Sequence, residues 1–385
     1  MIGDNLELYT YDYLMQLALS FVPNDRDKRQ GSVIYDALAP CCQLLAAGAL
    51  QLKNYYTQTY AVTATGQELD NRVAEQGIYR YTATYAVKKI QLADENGNPV
   101  TVPVGSRFST MSSTNPINYV ITAQYVENNT PVAGTYEATC EEPGLVGNEY
   151  FGPMVNITFV QGLASAQMST TLVPARDEET DDQLRERYFE ALNQKAFGGN
   201  IADYRAKVKD ISGVGDLQIY PTWNGGGTVK LSIVDPSYSP CSSEFVATVQ
   251  NIVDPKGADG KGGAGLGLAP IGHDVTVVTP EEVTVDISAS ITLQNTYSIG
   301  QVEPLVKEAL KAYIQSLREK WAEASEMNQH NCDVFVARVT ATIVTVAGIA
   351  NVYDVKLNGA AQDILLTQDG NTQQLPKLGE VTLNV

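Results

Sequence analysis

The spacing of apolar and polar positions changes character along the chain, and each change predicts a different kind of domain. Residues 1–85 follow a helical period. Leu8, Leu14, Leu17 and Phe21 can share one face of a first helix. Gly31-Ser32 then opens a long second helix, with Ser32 the expected cap and Pro40 demanding a kink or a restart. Leu44, Leu45, Ala47 and Leu52 give that helix a broad apolar face, wider than a solvent-facing helix needs. Such a face is either the centre of this domain or is covered by another subunit. Thr65 is placed for a capping box to Glu68 at the start of a short third helix.

From about Lys88 the period becomes two. Asn96-Gly97 predicts a hairpin turn between the runs 90–92 and 100–104, Pro103-Val104-Gly105-Ser106 a second turn, and 119–125 and 136–140 further strands. A helical period returns at Thr180-Asp181-Asp182-Gln183, a capping box ahead of Leu184, Tyr188 and Leu192, which recur at every fourth position; Gly198-Gly199 stops that helix. Asn200 can cap another helix over 201–209. Strands are expected at 216–220 and where Val229, Leu231 and Ile233 alternate, and a longer one where Val283, Val285, Ile287, Ala289 and Ile291 alternate. A helix over 302–325 brings Leu310, Tyr313, Leu317 and Trp321 near one face, 334–349 reads as another helix and 350–356 as a strand. The predicted class is α+β multidomain: a helical N-terminal segment (1–85), a β-rich domain (86–172), and α+β domains over 173–272 and 273–385.

Composition narrows the function classes. With 44% hydrophobic and 18% charged residues, the chain can bury real cores and is no disordered scaffold. A net charge of -18 repels a polyanion, which argues against nucleic acid as a partner. None of the five cysteines falls in a C-x-x-C pair and the adjacent Cys41 and Cys42 cannot easily bridge, so reduced cytoplasmic thiols are expected. Met1-Ile2-Gly3-Asp4-Asn5 lacks the basic start of a secretory signal. The apolar run 37–52 is interrupted by Pro40 and Gln43 and falls short of the roughly 18 clean apolar residues of a span. It is expected to be a buried helix, with no membrane insertion.

The search for chemistry finds no centre. His273 and His330 are the two histidines, and no HExxH or zinc spacing occurs. The run Asp177-Glu178-Glu179-Thr180-Asp181-Asp182 invites a calcium reading but lacks the glycine and closing glutamate of an EF-hand loop. Carboxylates ahead of a helix are favoured by its N-terminal dipole, so capping explains them. The glycine-rich stretch 257–267 holds Gly260-Lys261-Gly262 but no Ser or Thr after the lysine, and reads as a flexible or interface loop, not a phosphate cradle. No G-x-S-x-G occurs, and nothing marks a particular pair of carboxylates. Asn128-Asn129-Thr130 and Asn156-Ile157-Thr158 match the glycosylation pattern, which a cytoplasmic chain leaves unmodified. No cofactor, no metal and no enzymatic activity are expected.

Several motifs nonetheless occur in a fixed order. Gly31-Ser32 and its apolar helix precede Thr63-Ala64-Thr65-Gly66-Gln67-Glu68-Leu69-Asp70 with Gly77 and Arg80. Then come Val102-Pro103-Val104-Gly105-Ser106, Gly144-Leu145-Val146-Gly147-Asn148 with Gly152, and the run from Asp177 through Leu184, Arg185 and Arg187, ahead of Gly199-Asn200 and Tyr204. Val214-Gly215, Pro221, Ala269-Pro270-Ile271-Gly272 and Leu375-Pro376-Lys377-Leu378-Gly379-Glu380-Val381 complete the series. Nearly the whole chain thereby resembles the baseplate J-like family of contractile-tail proteins. One departure is Pro174-Ala175-Arg176, where the family has an Asn-Pro and a glycine.

The resemblance implies a structural wedge protein of a phage-tail, bacteriocin or related contractile baseplate. It implies as partners a second copy, a tail-protein-I-like wedge subunit, a sheath-initiator protein related to lysozyme-fold baseplate subunits, and the hub and spike. N-terminal helices would pack as a bundle, and C-terminal domains would meet a neighbour in a sixfold ring. The particle would assemble in the host cytoplasm and carry the chain in its baseplate. Leu44, Leu45 and Leu52 are the candidate interface residues. Thr180 and Gln183 cap a helix, and the planar forks of Arg185 and Arg187 suit bidentate carboxylates at an interface or within the domain. Two other readings stay open: a tail-associated cell-wall hydrolase, which needs two carboxylates in a cleft, and a receptor-binding module, which needs strands in place of the helices at 184–196 and 302–325.

Overall fold

Side-chain caps start the N-terminal helices. Thr10 accepts the Tyr13 N–H at the head of α1 (Tyr11–Ser20), and Ser32 accepts that of Tyr35 at the head of α2 (Val33–Gln58). The computed structural model describes residues 6–111, 115–127, 130–193, 198–257, 260–294, 297–323 and 332–384. His330, Asn128-Asn129 and the end of the predicted helix 302–325 lie outside the described residues. The chain divides into two units, Met1–Tyr81 with Glu179–Gln194, and Thr82–Glu178 with Lys195–Val385.

In the first unit, α1 buries Met15 and not the expected face, since Phe21 falls just past the helix and is 80% exposed. α2 runs through Pro40 with no restart. It is not the buried helix its composition predicts. Cys42 is its one buried residue, whereas Leu44, Leu45 and Leu52 are 74%, 62% and 54% exposed. Its partner α1 is only 10 residues long against 26, too short to cover it. By length and composition α2 could also cross a membrane. The core of this unit lies instead between α3 (Gly66–Ala74) and α4 (Asp181–Asn193), where Ala61, Ala64, Leu69, Val73, Leu184 and Tyr188 pack together. Thus α4, expected to open an α+β domain at 173, contributes its Leu184/Tyr188 stripe to the N-terminal helices. Leu192, one turn further, is 45% exposed.

The second unit begins with a closed barrel of six strands: β1 (Val87–Ala93), β2 (Arg107–Thr110), β3 (Asn118–Glu127), β4 (Thr130–Cys140), β5 (Gly152–Asn156) and β6 (Ser165–Val173), in the order β1-β4-β3-β2-β5-β6. Closure leaves no free edge. Ile90, Leu92, Phe108, Tyr119, Ile121, Ala138 and Met168 fill its interior. At Asn96-Gly97 the Asp94 carboxylate accepts the Asn96 and Asn98 N–H groups, and Gly97 takes φ 81°. Pairing beyond this turn reduces to one bridge, Ala93 with Pro99, because β1 pairs with β4 on one side and β6 on the other.

Next, α5 (Ile201–Lys209) precedes the antiparallel pair β7 (Asp216–Pro221) and β8 (Thr228–Val234); α6 (Ser243–Val253) then crosses over so that β9 (Asp274–Val278) pairs parallel to β8. Part of the glycine-rich stretch before β9 is anchored: buried Asp254 accepts the N–H groups of Gly263 and Val275, and Lys256 bridges Asp254 and Asp274, while residues 258–259 lie outside the described residues. The last sheet has β10 (Glu281–Leu293) at its centre, antiparallel to β11 (Ile349–Leu357) and parallel to β12 (Gln374–Asn384). α7 (Ile299–Glu319) and α8 (Val336–Val344) pack on it through Val302, Val306, Leu310, Ile314, Val339 and Ile343. The expected second helix to 349 ends earlier, because Gly348, at φ 94°, turns the chain and Ile349 opens β11. Trp321 lies past α7 in a short 3-10 turn, fully buried. The class is α+β multidomain, as the pattern predicted.

Candidate functional site

Three arginines and four acids from two distant stretches of the first unit form one polar knot. Its scaffold is the capped start of α4. The Thr180 N–H donates to Gln183 Oε1 (3.0 Å) and the Gln183 N–H donates to Thr180 Oγ1 (3.3 Å). This geometry fixes the start of α4, whose first turn carries Asp181 and Asp182 and whose second carries Arg185 and Arg187.

Arg80 donates through Nε to Asp70 Oδ1 (2.8 Å), through Nη1 to the Glu179 carbonyl (2.6 Å) and through Nη2 to Asp181 Oδ1 (2.6 Å). The other Asp181 oxygen accepts the Gly66 N–H at 2.9 Å. That bond replaces the capping box expected at α3: Thr65 makes no side-chain cap, and a carboxylate from α4 takes the N-terminal role instead. The Gly66 N–H, and then Arg80, hold the Asp181 carboxyl below the ordinary carboxylate range, while Asp70 raises Arg80.

Arg185 spends two donors on backbone. Nε reaches the Ala61 carbonyl (2.9 Å) and Nη2 that of Ala64 (2.8 Å), the turn that follows α2, while Nη1 pairs with Asp182 (2.6 Å). Arg187 makes the bidentate fork. Nε and Nη2 reach the two oxygens of Glu179 at 2.8 and 2.6 Å, Nη2 also donates to the Tyr79 carbonyl at 2.7 Å, and the guanidinium lies 4.1 Å from the Tyr81 ring centre. Glu179, with a side chain 8% exposed, additionally accepts the Tyr81 N–H at 3.0 Å. Arg185 and Arg187 therefore make their contacts within the unit. The arrangement ties turn carbonyls and carboxylates of two distant stretches to three guanidinium groups. Arg80, Asp70, Glu179, Asp181 and Asp182 are the members not singled out as site residues from sequence; the motif that ends in Arg80 holds the first two and the acidic run 177–182 the other three.

A second cluster, in the other unit, explains the Gly144–Asn148 motif. Gly144 has φ 99°, and a Cβ there would lie 2.4 Å from Asp177 Oδ1, which accepts the Leu145 N–H at 2.8 Å. Gly147 faces Ala86 and Cys140 so closely that a Cβ would lie 2.8 and 3.0 Å from their Cβ atoms. The Asn148 amide exchanges hydrogen bonds with the Ala175 backbone, both at 2.8 Å. The unusual Pro174-Ala175-Arg176 is thereby fastened, with Ala175 wholly buried. Inside the barrel, Lys88 donates to the carbonyls of Asn148 (2.8 Å) and Tyr150 (2.5 Å), and burial lowers it to about 8.

Among the described residues, no group of three or more His, Cys, Asp or Glu is placed to hold a metal ion. His273 accepts or donates at Nδ1 to the Tyr204 hydroxyl (2.8 Å) beside a cavity of about 150 Å³ that Ile201, Ile219, Pro221 and Val229 also line. Leu44, Leu45 and Leu52 lie exposed on α2, away from any buried cluster of the first unit.

Two family models match the second unit: the Baseplate J-like central domain over residues 196–279 and the Baseplate J-like protein C-terminal domain over 285–384. The uncharacterized protein YqbT of Bacillus subtilis (strain 168) is 33% identical over 379 residues, which is 97% of each chain. The chain belongs to the Baseplate J-like family. The phage-like element PBSX protein XkdT of the same strain is 32% identical over 378 residues, again 97% of each chain. Baseplate protein gp47 of Escherichia phage Mu is 26% identical over 272 residues, 69% of this chain and 71% of its own. In this Baseplate J-like chain the central domain comprises α5 to β9 and the C-terminal domain β10 to β12. The arginine knot lies upstream of both matched regions, within the span shared with YqbT and XkdT.

Proposed function

We propose that this chain is a structural, non-enzymatic subunit of a phage-tail-type baseplate, and that α2 is the surface by which it joins its neighbours. Family membership carries the first part: the relatives include a phage baseplate protein and a protein of a phage-like element. The exposed face of α2 supports the second. Leu44, Leu45, Leu52 and Tyr55 fall on one side of the helix and are each more than half exposed, an apolar surface of the kind that marks a protein interface. In this reading two copies join a tail-protein-I-like subunit in a wedge, with a sheath-initiator protein against the helical bundle. Wedges close into a sixfold ring about the hub and spike. The knot serves this role by holding α3 and α4 as a rigid base for α2. Triggering is then a rearrangement of interfaces between stiff parts. Assembly takes place in the host cytoplasm, and the chain remains in the baseplate of the released particle.

A second reading of α2 follows from its 26 residues and apolar composition, which suit a membrane span. Co-expression with the tail-protein-I-like neighbour separates the two. A soluble complex near 2:1 by light scattering, lost in Leu44→Asp and Leu45→Asp while circular dichroism is unchanged, supports the wedge. Monomers at every concentration, or flotation of the wild-type chain with lipid vesicles, would overturn it.

A further inference from the structure

The family models divide the second unit into a central and a C-terminal domain separated only by residues 280–284. The packing does not respect that division. A separate buried cluster joins Val234 and Tyr238 of the central domain to Trp321, Ala322, Cys332, Leu366 and Leu375 of the C-terminal domain. Trp321 is at its centre, wholly buried. Its indole N–H donates to Gln368 Oε1 (3.1 Å), and its carbonyl accepts from Nε2 of buried Gln218 on β7 (2.6 Å).

A polar clasp lies beside this cluster. Arg318 on α7, 9% exposed, donates through Nε to the Tyr238 carbonyl (2.8 Å) and through Nη2 to Ser239 Oγ (3.2 Å) and Glu282 Oε1 (3.0 Å). Lys377 on β12 holds the other Glu282 oxygen at 2.6 Å. Tyr238, which presents that carbonyl, has φ 57°, a left-handed conformation that a non-glycine residue keeps only when its surroundings impose it. Gln315 adds a bond to the Ser237 carbonyl (3.3 Å) and Lys230 one to that of Asn371 (3.3 Å). The turn 235–239 of one domain is thus gripped by α7 of the other, and Glu282 of β10, itself paired with Lys377 of β12, holds the gripping Arg318.

We propose that the central and C-terminal domains form one mechanical body, keyed by Trp321 and clasped by Arg318, so that conformational change in this protein is carried outside their junction. Opening the junction would strand buried donors and acceptors on both sides and expose an indole, which a flexible joint does not do. The inference rests on this packing and not on the baseplate reading.

Native-state hydrogen exchange of the full chain, read by mass spectrometry along a denaturant series, tests it. Ile343→Ala, a cavity in the C-terminal core remote from the clasp, should lower the midpoint of β7–β9 amides as much as that of β10–β12 amides. In a Trp321→Ala background the same cavity should lower only the β10–β12 midpoint. Arg318→Met replaces Trp321→Ala in this cycle if the latter does not fold. If Ile343→Ala in the otherwise native chain leaves the β7–β9 midpoint unmoved, the domains are independent and the proposal is wrong.

Discussion

Replacing Arg80 with methionine keeps the aliphatic stem and removes the fork that joins Asp70, the Glu179 carbonyl and Asp181. Charge-assisted hydrogen bonds contribute about 1.5–3 kcal/mol each when buried. The Asp70 and Asp181 side chains are 31% and 33% exposed, so solvent screening discounts two of the three. The remainder is about 2–3 kcal/mol, and the open population of α3 and α4 should rise about 30- to 150-fold. Hydrogen exchange at neutral pH, resolved to peptides of the two helices, reads this directly. Arg72→Met is the matched control, since its pair with Glu75 is 41% and 60% exposed and contributes about 0.5 kcal/mol or less. Protection of α3 and α4 unchanged within twofold, or an equal loss from Arg72→Met, would refute the knot as the clamp. The folded Asp181 carboxyl lies below its ordinary value, so its contribution is present above about pH 4 and is lost as pH falls through the folded value.

Three further outcomes are expected. Gly147→Ala forces a methyl against Ala86 and Cys140 and should cost about 1–3 kcal/mol in barrel stability, measured by thermal or urea unfolding. Lys88 is depressed to about 8, so it opposes folding while charged; barrel stability should rise between pH 7 and 9.5, and Lys88→Met should flatten that rise. Burial raises Asp235 from 3.8 to about 6, so its contribution is full only below pH 3.8 and is lost as pH climbs through 6; Asp235→Asn, which keeps the acceptor for the Ser237 and Ser239 N–H groups, should therefore stabilise the chain at pH 7.5 by up to about 2–3 kcal/mol and far less at pH 4, read from urea midpoints at both values.

Local chemistry was legible in the sequence wherever it involves near neighbours. Ser32 and the Thr180/Gln183 pair cap helices because a short side chain can reach only the next turn. The alternation over 283–291 places Val285, Ile287, Ala289 and Ile291 in one core. The missed helix α6 carried the same kind of signal, Ser242 as cap and Phe245, Val249 and Val253 on one face. What the pattern could not supply is partner choice over distance. Arg80 meets Asp181 101 positions away, and Asp181 displaces Glu68 as the group at the head of α3; either acid satisfies a spacing rule, and only the fold decides. The face of α2 shows a different limit. Leu44 and Leu45 read as buried because hydropathy records that a surface wants cover, not which chain provides it. Both are exposed in this chain, at 74% and 62%.

An electron cryomicroscopy map of the intact particle bears most directly on the structural role. Density for this chain is expected in the baseplate, with Leu44, Leu45 and Leu52 covered by protein side chains of adjacent subunits and the Arg80, Arg185 and Arg187 contacts intact. A baseplate map that lacks the chain, or one in which α2 faces solvent or lipid along its length, would contradict that role.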